Sequence, residues 1–337
     1  MSKWGDVIMS IHKVSIKRFT VFCDFEMELC KGINLIIGDN GVGKTHLLKI
    51  IYSLSKPQHD YTGRKVVSEP GQSSLPAAQS IGLSSVFDVG KECSPTAISE
   101  AGCLLHYDLV PYSVPSHLPR AVFIPAKEML SHAKGLLSMK SKYGENMPFD
   151  STLLDIIEKA QAWKLTQPPP VAEIIAPALE KIIGGVVEVK DDGSFWVNKI
   201  DGAVIPFSME AEGYKQFGLL WQLLMNESIT RNSLLLWDEP ENSINPEHIP
   251  VLVESLLELQ RNGVQVVAAT HSYNFVRYFD ILRTDNDSVR HFCLYKEDGK
   301  NTLYSSADSF LDLFPNPVDN AGERLYKDAI RKVAEES

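Results

Sequence analysis

One stretch constrains the fold of this chain more than any other: Gly38-Asp39-Asn40-Gly41-Val42-Gly43-Lys44-Thr45. It fits the pattern G-x-x-x-x-G-K-[ST], a glycine-rich loop whose backbone N–H groups surround phosphate groups. The apolar run at residues 33–37 predicts a buried strand before the loop, and the apolar spacing over residues 46–54 predicts a helix after it. Strand, glycine loop and helix in this order indicate an α/β fold with a phosphate-binding site.

The residue types of this loop suit a nucleotide. Glycines let successive backbone N–H groups turn towards one anion, and the following helix adds the positive end of its dipole. The Lys44 ammonium would reach the β- and γ-phosphates of ATP, and the Thr45 hydroxyl would ligate Mg²⁺. The whole loop from Gly38 to Thr45, together with His46 in the first turn of the helix, is therefore the candidate nucleotide-binding segment.

A second apolar run ends in carboxylates. Ser233-Leu234-Leu235-Leu236-Trp237 leads into Asp238 and Glu239, which is typical of a buried parallel strand with an acidic carboxyl end. Asp238 there can hold Mg²⁺ directly or through water, and Glu239 can polarise a water molecule against the γ-phosphate. A charged loop after an ordinary strand is the alternative.

A third apolar run, residues 263–270, predicts another buried strand that ends at His271 and Ser272. A histidine at that position can hydrogen-bond a γ-phosphate or orient the attacking water. A lone histidine at a strand end is usually structural, but its order after the acidic strand favours the functional interpretation.

Composition limits the remaining possibilities. The chain has 337 residues and a formal net charge of −10, which argues against a protein whose main task is to clamp nucleic acid. No apolar run is long enough for a bilayer span and no signal-peptide pattern is visible, so we expect a cytoplasmic protein without a membrane segment. Its five scattered cysteines form no C-x-x-C pair, and we expect reduced thiols.

The pattern along the chain suggests four parts. We expect residues 1–126 to form the N-terminal part of the core, with a Ser-, Pro- and Gly-rich variable insertion at 56–100. Residues 127–183 read as an inserted helical lobe, in which Leu153 to Trp163 and Ile174 to Ile183 form two apolar stripes separated by a run of three prolines. Residues 184–305 read as a hairpin and the rest of the core, and 306–337 as a tail helix.

Two groups of residues in these parts leave alternatives open. Phe19, Phe22 or Phe25 could stack on an adenine ring, although core packing is the more ordinary explanation. Lys127 and Glu128 follow a strand directly, so they lie either at the ligand-binding rim of a sheet or at a solvated helix start.

Taken together, the glycine loop, Ala211-Glu212-Gly213-Tyr214-Lys215 before a helix, residues 234–246 and Ala269-Thr270-His271-Ser272 resemble an ABC-type ATPase head. More narrowly, the chain resembles the stand-alone ATP-binding proteins of the OLD/RecF/SMC-like group, often classed as AAA-family ATPases. Members of that group accompany anti-phage and toxin–antitoxin-like systems. The resemblance covers residues 10–55 and 205–280 well, and it implies a P-loop NTPase fold with a mixed sheet flanked by helices.

The resemblance also implies roles for single residues. Lys44, Glu239 and His271 would act in hydrolysis, Thr45 and Asp238 would ligate Mg²⁺, and Gly213 and Lys215 would contact the ATP of a partner subunit. Residues 242–246 (Asn-Ser-Ile-Asn-Pro) would cross the dimer interface, and Lys127 and Glu128 stand near where the family has a glutamine. Ala211 occupies the place of a serine that contacts the γ-phosphate in trans, so hydrolysis would be slow unless Ser208 or backbone N–H groups substitute.

The resulting hypothesis is a Mg·ATP-dependent ATPase that forms a homodimer and gates a separately encoded effector, a nuclease or a toxin. OLD-type nucleases carry a Toprim domain after the ATPase, and the sequence after residue 285 is too short for one, so we expect nuclease activity to come from another chain. A slowly hydrolysing scaffold and a DNA-repair or SMC-like head are the alternatives. The latter needs a basic groove, for which Lys127, Lys134, Lys140, Lys142, Lys159 and Lys164 are candidates. A transporter ATPase fits less well.

Overall fold

A computed structural model of the chain describes residues 10–55, 104–110, 120–143, 147, 149–297 and 301–335. The strands are β1 (Ser10–Phe19), β2 (Phe22–Glu28), β3 (Ile33–Gly38), β4 (Leu104–Val110), β5 (Arg120–Ile124), β6 (Gly185–Val189), β7 (Phe195–Lys199), β8 (Val204–Pro206), β9 (Ser233–Asp238), β10 (Gln265–Ala269), β11 (Val289–Lys296) and β12 (Thr302–Ala307). The α-helices are α1 (Lys44–Leu54), α2 (Leu136–Tyr143), α3 (Ser151–Ala160), α4 (Pro170–Ile183), α5 (Glu212–Met225), α6 (Ile249–Arg261), α7 (Tyr273–Leu282) and α8 (Pro317–Glu335).

The centre of the fold is a six-stranded sheet with the order β12-β11-β3-β10-β9-β5. All neighbouring pairs are parallel except β11 with β12, so the sheet is mixed. The carboxyl ends of β3, β9 and β10 therefore meet at one edge, where α/β proteins bind their ligands. This mixed sheet flanked by helices confirms the predicted P-loop NTPase fold class.

Side chains alternate between the two faces of this sheet, as the period of a strand requires. On one face, Leu35, Leu235 and Trp237 pack against α3 to α7 in a large core cluster. On the other face, Ile36 and Leu236 pack against α1 and the strands β1 and β2. The sheet thus separates two hydrophobic cores, and both of its faces are covered.

Two antiparallel sheets flank the centre, with the orders β2-β1-β4 and β6-β7-β8. The first contains the three aromatic residues considered above, and Phe19, Phe22 and Phe25 are all at most 6% exposed. The rings of Phe22 and Phe25 lie 4.7 Å apart between centroids. Core packing is therefore the role of these side chains in the structure.

The helices of residues 127–183 share the large core cluster with the central sheet, through Leu154, Ile157 and Leu179 among others. Two side chains of the predicted stripes do not join it. Trp163 is 93% exposed because α3 ends at Ala160, and Ile174 is 55% exposed because it lies on the outer side of α4. Both assignments to an apolar stripe were wrong, whereas the four-part division of the chain stays a prediction.

Several boundaries differ from those predicted. The strand expected over residues 263–272 spans only Gln265–Ala269, so His271 lies in the loop that follows it. The predicted 56–100 insertion lies outside the described residues. Within the described part of the chain, Cys23, Cys30 and Cys293 are free thiols, and no helix is long and apolar enough to cross a membrane.

Candidate nucleotide-binding and hydrolysis site

The glycine loop connects β3 to α1 at the carboxyl edge of the central sheet. Gly43 precedes the helix with φ 102°, a conformation that residues with a side chain rarely adopt. A Cβ atom there would lie 2.5 Å from Val21 Cγ2, so the loop is packed tightly against the β1–β2 turn. On its other side, the Thr302 hydroxyl donates to the Val42 carbonyl at 2.9 Å. The loop is thus held in shape from both sides, with Asp39, Asn40 and Gly41 exposed.

The Lys44 side chain curls back over this loop. Its Nζ donates to the carbonyl oxygens of Gly38 at 2.8 Å and Asp39 at 3.0 Å. Burial lowers the pKa of Lys44, and the carboxylates of Glu239 and Asp238 oppose that shift. The ammonium therefore lies above the loop with two hydrogen bonds that phosphate oxygens could replace.

Thr45 and Asp238 meet although 193 residues separate them. The Thr45 hydroxyl lies 2.8 Å from Asp238 Oδ2, in the first turn of α1 and at the last residue of β9. Burial raises the pKa of Asp238, and its hydrogen bond with Thr45 opposes the shift. A magnesium ion is commonly held by one or two carboxylates, phosphate oxygens and water, so a hydroxyl and a carboxylate side by side fit it. No group of three or more His, Cys, Asp or Glu that could hold a metal occurs among the described residues.

Glu239 and His271 face each other beside this pair. His271 Nε2 lies 3.7 Å from Glu239 Oε1, and each side chain is 38% exposed. The pKa of His271 is lowered overall, first by burial and then by the positive charge of Lys44. The negative charge of Glu239 opposes part of this shift. Glu239 has φ 50°, in the left-handed region, and its N–H donates to the Ala269 carbonyl at 2.8 Å. An acid and an imidazole thus lie together, accessible to solvent, at the edge where the glycine loop ends.

Sequence reasoning missed one acid in this region. Glu241 Oε1 lies 2.5 Å from the hydroxyl of Thr270, the residue before His271. Burial raises the pKa of Glu241. The only sequence signal is a further glutamate two positions after Glu239, and a glutamate in a loop is ordinarily solvent-exposed.

His46 lies in the first turn of α1, where burial lowers its pKa.

The residues predicted to contact the ATP of a partner subunit lie at the start of α5. Ala211 is the N-cap of α5 and makes no side-chain capping hydrogen bond. A Cβ atom on Gly213 would lie 2.6 Å from the Ser243 carbonyl oxygen, so the first turn of α5 packs on residues 243–244. Lys215 is buried, and its Nζ lies 2.6 Å from Glu212 Oε1.

Lys127 and Glu128 lie between β5 and a short helix. The Glu128 carboxylate accepts a hydrogen bond from the Ser131 N–H at 3.0 Å and so caps the short helix Leu130–His132, while Lys127 is exposed. The hydrogen bond fits a helix start, and because β5 runs parallel to β9 this segment also leaves the central sheet at its carboxyl edge. Near them, Asn242 Nδ2 donates to the Ala126 carbonyl at 3.4 Å, which links this segment to the predicted interface loop.

Several of the lysines that could form a basic groove are engaged within the chain. Lys134 Nζ lies 2.8 Å from Asp192, and Lys140 Nζ lies 3.2 Å from Glu158. Lys164 Nζ lies 4.4 Å from the centroid of a Trp221 ring. Acidic partners offset the charges of Lys134 and Lys140, so the DNA-binding alternative loses part of its support.

Comparison with known domain families yields two matches. The family described as "AAA domain, putative AbiEii toxin, Type IV TA system" matches residues 127–277, which include Asp238, Glu239 and His271. The family described as "AAA ATPase domain" matches residues 9–96, which include the glycine loop. No curated protein matches the chain.

Solved structures with a similar arrangement are distant. An SMC head domain from Thermotoga maritima is 12% identical, covers 88% of this chain and 98% of its own, and has a TM-score of 0.43. An Smc head with an extended coiled coil, bound to the C-terminal domain of ScpA and derived from Pyrococcus furiosus, is 11% identical, covers 95% and 100%, and has a TM-score of 0.46. An ATP-binding cassette of an ABC transporter in its ADP conformation is 10% identical, covers 90% and 92%, and has a TM-score of 0.42. These values are too low to indicate what this chain does.

Proposed function

We propose that this chain, a P-loop ATPase of the AAA type, hydrolyses Mg·ATP in a head-to-tail homodimer that gates a separately encoded effector. One observation carries the catalytic part of the proposal. The Thr45–Asp238 contact of 2.8 Å and the Glu239–His271 contact of 3.7 Å lie at the same edge of the sheet as the glycine loop.

The residues of this edge divide the reaction among them. Backbone N–H groups of the glycine loop and the start of α1 bind the phosphates, and Lys44 exchanges the carbonyls of Gly38 and Asp39 for phosphate oxygens. Thr45 and Asp238 would hold Mg²⁺, which would supply positive charge to offset that of the transferred phosphoryl group. Glu239 accepts a hydrogen bond from the attacking water and takes its proton.

His271 completes this arrangement because its imidazole lies beside Glu239, 3.7 Å from its carboxylate. Burial lowers the pKa of His271, which keeps the ring neutral at pH 7, and a neutral ring can donate from one nitrogen and accept at the other. The ring would donate to a γ-phosphate oxygen or orient the water.

The division of the predicted nucleotide-binding residues into two groups supports the dimer. Gly213 packs on residues 243–244, and Lys215 is paired with Glu212. In a head-to-tail pair, the start of α5 would face the γ-phosphate held by the other subunit, with the positive end of its dipole towards that charge. Closure on ATP and opening after hydrolysis would then change the surface offered to the effector.

The role of the effector rests on the family match alone. The family that matches residues 127–277 is described as a putative AbiEii toxin of a type IV toxin–antitoxin system. We therefore place the proposed function in an anti-phage or toxin–antitoxin-like setting, with the effector a nuclease or toxin on another chain.

The test is the mass in solution of Glu239→Gln, measured by light scattering after size exclusion, with and without Mg·ATP. We expect a change from monomer to dimer on addition of ATP, since the variant binds ATP but cannot turn it over. Lys44→Ala is the matched control and should not change in mass, because it lacks the phosphate contact. A constant mass of Glu239→Gln at saturating ATP contradicts the ATP-dependent dimer, and hydrolysis by Glu239→Gln as fast as by wild type contradicts the catalytic assignment.

A second candidate function is an ATP-dependent scaffold that restrains an effector without steady turnover. Ala211 favours it, because no hydroxyl is present at the N-cap of α5 to contact a γ-phosphate in trans. Steady-state phosphate release distinguishes the two candidates. Turnover well below about 1 s⁻¹, the lower end of kinase rates, that no ligand stimulates would favour the scaffold. Ala211→Ser should then raise the rate.

A further inference from the structure

Glu241 lies next to the hydrolytic residues but has no part in the reaction described above. Its Oε1 atom is 2.5 Å from the hydroxyl of Thr270, a residue with no exposed surface. Glu241 follows β9 and Thr270 follows β10, so this hydrogen bond joins the two loops that carry Glu239 and His271.

The contact extends beyond the two side chains. The Ser272 N–H donates to the Thr270 hydroxyl oxygen at 2.9 Å, and the Ser272 hydroxyl caps α7 by accepting from the Phe275 N–H at 3.2 Å. The Thr270 hydroxyl therefore accepts one hydrogen bond from Ser272 and donates one to Glu241. Residues 270–272 are thus attached on one side to the acid and on the other side to a helix.

The carboxylate of Glu241 faces both residues 270 and 271. Besides the hydrogen bond from Thr270, the backbone N–H of His271 favours the charged form of this carboxylate. Its other oxygen, Oε2, is buried and makes no further side-chain contact among the described residues. An apolar residue at position 241 would leave the Thr270 hydroxyl without its acceptor, so the specific contact of the glutamate is the one that positions residues 270 and 271.

We propose that Glu241 is a positioning residue, which holds His271 beside Glu239 through the hydroxyl of Thr270. Its carboxylate acts on Thr270 and not directly on the reacting groups. The proposal rests on the proposed function, since the distance that it maintains is the 3.7 Å between His271 Nε2 and Glu239 Oε1. It predicts that the hydrogen-bonding oxygen, and not the negative charge, is what the site needs at position 241.

The experiment compares Glu241→Gln with Glu241→Ala and Thr270→Val in steady-state ATP hydrolysis. Glutamine retains an oxygen that accepts from Thr270, so we expect kcat within about threefold of wild type. Alanine at 241 and valine at 270 break the contact, and we expect kcat to fall about 10–100-fold, as for other residues that orient a reacting group, with KM for ATP within about twofold. The kcat of the double variant Glu241→Ala/Thr270→Val should be no lower than that of the slower single variant, because both substitutions remove the same hydrogen bond.

Two results would overturn the proposal. Wild-type kcat in Glu241→Ala would show that the contact is dispensable, and an equal loss in Glu241→Gln and Glu241→Ala would show that charge matters rather than position. ATP hydrolysis by the wild-type protein tests a different claim. If the wild-type protein does not hydrolyse ATP, that result counts against the proposed function and not against the role of Glu241.

In that case a readout that needs no turnover decides the role of Glu241. The pH titration of the His271 ring, followed by NMR and assigned with His271→Asn, should be unchanged in Glu241→Gln and displaced in Glu241→Ala. Identical titrations in all three proteins would overturn the proposal.

Discussion

Gly43→Ala tests the conformation of the glycine loop quantitatively. Gly43 has φ 102°, and a residue with a Cβ atom in the left-handed region costs about 1–2 kcal/mol. The new Cβ would also lie 2.5 Å from Val21 Cγ2 and 2.9 Å from the Phe22 ring, and forcing a methyl group into a packed core costs about 1–3 kcal/mol. Together these predict a loss of about 2–5 kcal/mol in the free energy of unfolding.

Gly41→Ala is the matched control in the same loop. Gly41 has φ 76°, but its Cβ would have no atom within 4 Å, so only the backbone cost of about 1–2 kcal/mol remains. The smaller unfolded-state entropy of alanine affects both variants alike and cancels in the comparison. The difference between the two variants, about 1–3 kcal/mol, therefore isolates the contact with Val21 and Phe22.

Thermal unfolding of the nucleotide-free proteins measures this difference. With an unfolding entropy of about 2.1 cal/mol/K per residue and 337 residues, 1 kcal/mol corresponds to about 1.4 °C. Gly43→Ala should thus melt about 1–4 °C below Gly41→Ala. Equal melting temperatures would refute the tight packing of the loop against the β1–β2 turn.

Three further predictions concern the metal ligands, acid stability and two tryptophans. Thr45→Val and Asp238→Asn should each weaken ATP binding at least about tenfold in Mg²⁺ but little in EDTA, measured by titration calorimetry; equal losses in both buffers would contradict metal ligation. Burial lowers the pKa of His291 to about 4, below the value of about 6.5 in the unfolded chain, so stability should fall as the pH decreases between these values. His291→Leu should flatten that part of the melting-temperature profile, and an unchanged slope would contradict the assignment. Trp163 is 93% exposed and Trp237 is 0% exposed. Trp163→Ala should therefore change the free energy of unfolding by less than about 0.5 kcal/mol, whereas Trp237→Ala should lower it by about 3–5 kcal/mol. Similar urea unfolding profiles for the two variants would contradict this.

The parts of the fold that could be predicted are those in which neighbouring residues carry the signal. Gly38 to Thr45 combine a turn, an anion site and a helix start within eight residues, and their flanking apolar runs identify the strand and the helix. The strand before Asp238 is recognisable because a parallel strand covered on both faces is apolar throughout. Because strands of this kind end at the same edge of the sheet, the meeting of Thr45 with Asp238 could be expected as well.

The parts that escaped prediction depend on contacts between distant segments. The hydrogen bond between Glu241 and Thr270 joins residues 29 positions apart, and nothing near Glu241 in the sequence indicates that its carboxyl group is buried. The exposure of Trp163 depends on where α3 ends, and the apolar stripe before it does not encode that end. The packing of Gly213 on Ser243 likewise requires the first turn of α5 and a distant loop to approach within a few ångströms, which no local pattern shows.

The left-handed backbone of Glu239 has a consequence for how this chain can diverge. A glutamate at φ 50° has a higher backbone conformational energy than glycine or asparagine would have, so the fold alone does not favour an acid at this position. Descendants released from selection for ATP turnover should therefore drift there towards glycine or asparagine and gain stability as they do. Among relatives of this chain, an acid retained at that kinked position would mark lineages in which hydrolysis is still under selection, and its loss would mark those that keep only nucleotide binding.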